Sequence, residues 1–344
     1  MPQIGTRSTF LSVPFCLLWL SSFNACQENP PGRVVRSSSW DTILVLGRAH
    51  ASDTTLVNPL KVLVSANLLF VLENLEQQVR AFDAQTGEWL WTFGRKGEGP
   101  GEMLQAYGLF IDSSERLRIW DERNRKLLTI DRQGSLVGEE YFRDLWGLSS
   151  MPTAFGDRLI WMQLSPRRPA YISGFTGEEL FDSVAFDWPI PDYLPYRPNL
   201  FTETAGAEGF WVQALRSGPY FAVGGADGVS IHSYVVPIPY GYSPGQRVWA
   251  VEPTADSARF GALNVAAIPG QIFVLSGGRP RMSAHPEEPN RYIDVYLESG
   301  SYSHSFFLPS DTRAITTEDG TTFFALTELD GGFPQILKLR ARLR

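Results

Sequence analysis

The sequence predicts an all-β chain folded as a six-bladed β-propeller with four-stranded antiparallel blades, and three observations lead there. Beyond residue 40, apolar residues fall in short strand-like runs bounded by Gly, Pro, Asp or Asn, and almost no long stretch carries the 3.6-residue period of a helix. A unit of strand, acidic turn, strand, Asp and Gly occurs twice between residues 67 and 135. The two ends of the chain complement each other, with a strand in surplus at the start and one missing at the finish. Composition agrees. Aromatics make 13% of the 344 residues, Gly and Pro number 31 and 24, and charged residues reach only 19%. That mixture suits many short strands joined by tight turns.

The first 26 residues differ from the rest. Arg7 gives a small positive start, Phe10 to Phe23 is largely apolar, and Ala25-Cys26 is followed by a polar, Pro-rich stretch. The apolar run has the length of a signal-peptide core and is too short and interrupted for a membrane span. A small residue directly before cysteine resembles a bacterial lipoprotein processing site, although Phe23 and Asn24 depart from that pattern. The expected organisation is a signal peptide over 1–25, a tether over 26–39 lipidated at Cys26, and a propeller over 40–344. The chain is then exported as a periplasmic or cell-surface lipoprotein, touching the membrane only through its anchor. Plain secretion, or an ordinary buried N-terminal segment, are the alternatives. Cys16 and Cys26 are the only cysteines, so the expected folded body has no disulfide and no thiolate nucleophile.

Strands are expected at 42–46, 61–64, 68–72, 78–83, 89–93, 108–112, 116–120, 127–131, 159–162, 170–173, 210–213, 220–223, 229–234, 247–251, 271–275, 291–297, 303–308, 314–317, 322–326 and 335–339. The repeat organises them. Each clear copy has an acidic turn (Glu73-Asn74, Asp121-Glu122), a second strand ending in Asp83 or Asp131, and a closing glycine, Gly87 or Gly134. Fainter copies surround Gly177, Gly228 and Gly300, at intervals that fit a blade of roughly 40 to 50 residues until the last, which implies an insertion near 276–292. A lone blade leaves two apolar faces in water, and stacking in a ring buries both. The last unit lacks an outer strand, and residues 42–46 are expected to supply it.

The segment from Gly94-Arg-Lys-Gly-Glu-Gly-Pro-Gly-Glu-Met103 through Arg116–Trp120, Leu127–Asp131 and Gly134 resembles the NHL-repeat and TolB-like six-bladed propellers. Asn124-Arg125 matches the repeat wording, whereas Leu75-Glu76 replaces it in the preceding unit. The resemblance covers about residues 60–140 and implies either a scaffold that binds protein, peptide or glycan, or a metal-dependent lactonase or lyase. Fold alone does not choose between them.

The remaining motifs are weighed against plainer readings. The 94–101 loop lacks a GK[ST] ending and precedes strands, so it reads as a blade connection instead of a phosphate loop. Gly241-Tyr-Ser-Pro-Gly245 is a literal G-x-S-x-G, but no helix follows it, so it reads as a turn. His50, His232, His285 and His304 are scattered singly, with His304 expected on a solvent-facing outer strand. Asp112, Asp144, Glu178, Asp294 and Glu318 are the candidate channel carboxylates, which would hold Ca2+ if they converged; otherwise they solvate loops or accept turn N–H groups. The aromatic, Pro-stiffened run at 186–198 supplies the candidate ligand-contact residues Trp188, Asp192, Tyr193, Tyr196 and Arg197, or else simply covers one end of the ring. A net charge of −7 with no large basic cluster argues against nucleic acid as a partner. The preferred reading is a non-catalytic, envelope-associated binding propeller with no cofactor. A divalent-metal-dependent lactonase or lyase is the alternative.

Overall fold

A computed structural model describes residues 32–37, 39–47, 55–142, 152–156, 158–163, 170–176, 179–186, 202–215, 220–235, 261–277, 291–328 and 332–342. Two strands precede the first blade, β1 (Val35–Ser37) and β2 (Trp40–Leu46). Blade one is β3 (Pro59–Ser65), β4 (Leu68–Glu73), β5 (Gln78–Asp83) and β6 (Trp89–Phe93). Blade two is β7 (Ala106–Ile111), β8 (Leu117–Asp121), β9 (Lys126–Ile130) and β10 (Leu136–Tyr141). Blade three is β11 (Thr153–Phe155), β12 (Arg158–Gln163), β13 (Ala170–Thr176) and β14 (Glu179–Phe186). Blade four is β15 (Thr202–Ala207), β16 (Phe210–Leu215), β17 (Tyr220–Gly225) and β18 (Gly228–Ser233). Blade five is β19 (Ala262–Ile268), β20 (Gln271–Ser276), β21 (Tyr292–Leu297) and β22 (Tyr302–Phe307). Blade six is β23 (Thr312–Thr317), β24 (Thr322–Glu328) and β25 (Pro334–Ala341). The described strands form six sheets, and no described residue is helical.

The inner strands touch in the cycle β3–β7–β11–β15–β19–β23–β3, which makes the ring. Alternation along each strand sends successive side chains to opposite neighbours. Phe324 and Leu326 join the apolar cluster with Val62 and Leu69 of blade one, while Phe323 and Ala325 join Phe273 and Ile293 of blade five. Every pair of neighbouring blades shares such a cluster, so apolar burial runs unbroken around the circle. At about 25 cal/mol per Å² of apolar surface, this burial is the main force holding the blades together.

The expected closure is found. β2 pairs antiparallel with β25, from Trp40 opposite Ala341 to Leu46 opposite Ile336, and so becomes the outer strand of blade six. The propeller also begins earlier than residue 40. β1 lies within the stretch read as tether, yet it pairs in parallel with β22 and gives blade five a fifth strand. The insertion near 276–292 falls between β20 and β21. The strand expected at 247–251 and the segment 1–31, including Cys26, lie outside the described residues.

The closing residues of the repeat have a local cause. Glu73, at the end of β4, accepts the backbone N–H groups of Val57 and Asn58 as the chain enters β3. Asp121 does the same for Leu104 and Gln105 before β7. Gly134 adopts φ +85°, where a Cβ would also lie 2.7 Å from the Trp91 indole of blade one.

Candidate functional site

The sheet order divides the connections between two faces of the ring. One face carries the turns from first to second and third to fourth strands, and none of these exceeds the length of 84–88, 112–116 and 131–135. The other face carries the links between blades and between second and third strands. There the flanking strands leave room for 47–58, 94–105, 142–152, 187–201, 234–261 and 277–291. Between the described strands, the long connections therefore all leave from one face.

The bore at the ring's centre is crossed by an ion pair. Lys61 Nζ of β3 donates to Glu203 Oε2 of β15 at 2.6 Å, and the two side chains are 13% and 7% exposed. β3 and β15 stand three steps apart in either direction around the six inner strands, so the pair joins opposite blades. Both residues lie near the starts of their strands, on the side of the long connections. Beyond the pair, a cavity of about 360 Å³ runs along the later halves of the inner strands to Ser65, Ala207, Pro269 and Glu318. Its walls also include Thr153, Asn264 and Thr316. Asn264 Oδ1 accepts the N–H of Ile315, and Thr316 Oγ1 accepts that of Val64, so polar groups at the bore stitch blade five to six and six to one.

Of the candidate channel carboxylates among the described residues, only Glu318 lines this cavity, and it is exposed at the tight-turn mouth. Asp112 closes the β7–β8 turn. Its Oδ1 accepts N–H groups of Ser114 and Arg116, and its Oδ2 receives the guanidinium groups of Arg116 and Arg118. Burial raises its pKa, but these bonds and charges outweigh burial and hold the carboxyl below its usual range. Asp294 lies on β21, away from the bore, with a side chain 2% exposed. Arg33 grips it, with Nε on Oδ1 at 2.7 Å and Nη2 on Oδ2 at 2.6 Å, and also reaches Ser276 Oγ. Burial opposes the charge on Arg33, yet the bonds and charge of Asp294 keep its pKa above the ordinary value. The structure thus separates Asp112, Asp294 and Glu318, which lie on blades two, five and six, the first capping a turn and the second neutralising an arginine. No cluster of three or more His, Cys, Asp or Glu suited to a metal occurs among the described residues. Asp144, Glu178, Trp188, Asp192, Tyr193, Tyr196, Arg197, His50, His285 and the 241–245 turn lie outside the described residues.

The 94–101 loop is an ordered blade connection. Glu102 Oε2 accepts the Gly99 N–H, Glu139 Oε1 accepts that of Gly101, and fully buried Lys126 donates to Gly99 O. Arg95 pairs with Glu102 and stays exposed. His304 corrects the expectation of a solvent-facing residue. It is 6% exposed, edge-on to Phe306. Sequence reasoning missed Arg33, Lys61 and Glu203, since nothing local marks a residue whose partner lies more than a hundred positions away.

Comparison with known proteins agrees with the architecture. The model of the DUF5128 family, described as a 6-bladed beta-propeller, matches residues 50–167. Among solved structures, a Bacteroides fragilis protein described as exported is similar, with TM-score 0.58 and 12% identity, over 92% of this chain and 97% of that one. A member of the duf4221 family from Bacteroides vulgatus is similar with TM-score 0.55 and 10% identity, over 90% of this chain and 99% of that one. At such identities the likeness speaks to fold alone. No curated protein matches the sequence. The chain is a six-bladed β-propeller.

Proposed function

We propose that this propeller is a non-catalytic binding module of the cell envelope, which presents the connections of one face to a protein, peptide or glycan. The observation that carries the reading is the asymmetry of the faces: every long connection leaves from one side, and tight turns occupy the other. A rigid scaffold that gathers its variable segments on one side is the usual arrangement for recognition. β14 ends and β15 begins on that side, which supports taking the run at 186–198, with Trp188, Asp192, Tyr193, Tyr196 and Arg197, as the ligand-contact segment. Its aromatic side chains suit stacking on a sugar ring or gripping an extended peptide. Residence in the envelope rests on the N-terminal sequence, with Cys26 as the lipid attachment point. The binding reading is favoured over the metal-dependent lactonase or lyase because arginines engage both Asp112 and Asp294.

A photo-crosslinking side chain at position 193 tests this reading in cells that make the protein, with position 227 on the tight-turn face as control. The reading expects a discrete adduct from position 193 and none from 227. Adducts from 227 alone, or none from 193, would reject it.

A further inference from the structure

We infer that the central cavity is a second, one-ended binding site, and that it takes a small uncharged polyhydroxyl molecule from the tight-turn face. This goes beyond the binding function proposed above, which uses the opposite face. The Lys61–Glu203 pair forms the floor. The two charges of the pair compensate each other, so the floor leaves no unbalanced charge to draw in and neutralise an ionic ligand, and the site suits neutral molecules.

The walls supply uncharged hydrogen-bonding groups. The Thr153 hydroxyl has no partner although the residue is only 1% exposed. A buried hydroxyl without a partner is costly, and it points to a missing bond. Asn264 commits its carbonyl oxygen to Ile315, which leaves its two amide N–H donors for the cavity. Thr153 and Asn264 come from blades three and five, on either side of blade four, whose Gly206 also lines the cavity. A Cβ on Gly206 would fall 2.2 Å from Ala154 O and 3.1 Å from Thr153 Oγ1, so glycine lets blade four close against blade three beside the Thr153 hydroxyl. Small residues such as Ala205 and Ala267 leave the volume of about 360 Å³ unfilled, which is enough for a molecule of monosaccharide size. Apart from the paired floor, the one charged lining residue among the described residues is Glu318, which stands in solvent at the mouth.

Calorimetric titration of the full chain with glucose, N-acetylglucosamine and myo-inositol tests the inference. At least one should bind saturably with one site per chain. Thr153→Val, which keeps the shape and removes the hydroxyl, should weaken that binding roughly tenfold, the loss of about one good hydrogen bond. Thr153→Ser, which keeps the hydroxyl, should stay within about twofold of the parent. Failure of all three probes to bind in the millimolar range would overturn the site and leave the cavity to water. Binding that Thr153→Val does not weaken would overturn it equally.

Discussion

Blades two and five have the same four-stranded plan but are held in the ring by opposite means. Blade two uses residues close in sequence. Gln77 Oε1 of blade one accepts the Ala106 N–H, Trp91 Nε1 donates to Arg132 O, and Arg132 reaches back to Ala66 O. Its outer strand β10 has no further strand beside it among the described residues, and Leu136, Val137 and Tyr141 are exposed. Blade five is instead fastened by a segment from the other end of the chain. β1 covers the edge of β22, and Arg33 lies over Tyr292 with its guanidinium carbon 4.2 Å from the ring centre while it holds Asp294. The difference teaches that the clearly repetitive part of the chain carries its own joints, and that the degenerate part borrows one.

The largest expected effect breaks the borrowed joint. Arg33→Ala leaves the Asp294 carboxylate buried without its cation and should cost about 3–5 kcal/mol in denaturant unfolding. The double variant Arg33→Met/Asp294→Leu should recover much of that loss, because it removes both charges and keeps the volume. A single-variant cost below about 1 kcal/mol would mean the joint is ornamental.

Next comes Gly300→Ala in blade five. Gly300 has φ +78°, and a Cβ there would lie 2.3 Å from the His232 ring of blade four. Left-handed strain and overpacking together should cost about 2–4 kcal/mol, read as a lowered melting temperature. On the blade-two side, Gln77→Leu removes the acceptor of a buried N–H and should cost about 1–3 kcal/mol. If Gln77→Leu outweighed Arg33→Ala, the contrast between local and borrowed joints would be reversed.

The smallest effect concerns pH. His232 and His304 have pKa values lowered by burial, the latter also by the charge of Arg36. The unfolded chain then binds protons more readily than the folded one. Their stabilising contribution is complete above the unfolded value near 6.5 and is lost as pH falls below it, by at most about 1.4 kcal/mol per pH unit for each residue. Unfolding free energies at pH 7.5 and 5.5 should show the loss, and His232→Gln/His304→Gln should flatten it. Residues 59–141 contain no histidine, so amide exchange in blades one and two should respond less than in blades four and five.

Much of the architecture was legible because strand alternation, turn residues and the repeat are local signals. The acids of the repeat, Glu73 and Asp121, mark the blade start because each carboxylate binds the incoming chain a few residues away. The surplus strand at 42–46 was matched to the last sheet by counting alone. β1 was not legible, since three residues with no alternation reveal nothing about an edge they meet in parallel. The candidate site was less legible than the fold. A carboxylate in sequence does not disclose whether an arginine has claimed it, as with Asp294, or a turn, as with Asp112. Lys61 and Glu203 look like ordinary strand residues until the ring sets them opposite each other.

Cross-linking the two ends of the chain tests ring closure most directly. Asp41 faces Arg340 in the β2–β25 ladder. With Cys16 and Cys26 replaced by serine, Asp41→Cys/Arg340→Cys should form a disulfide in the folded protein, and a single protease cut in the 187–201 connection should leave the two fragments joined until reduction. A pairing of equal yield between Asp41→Cys and a cysteine at Glu328, or no disulfide at 41–340, would contradict the closed ring.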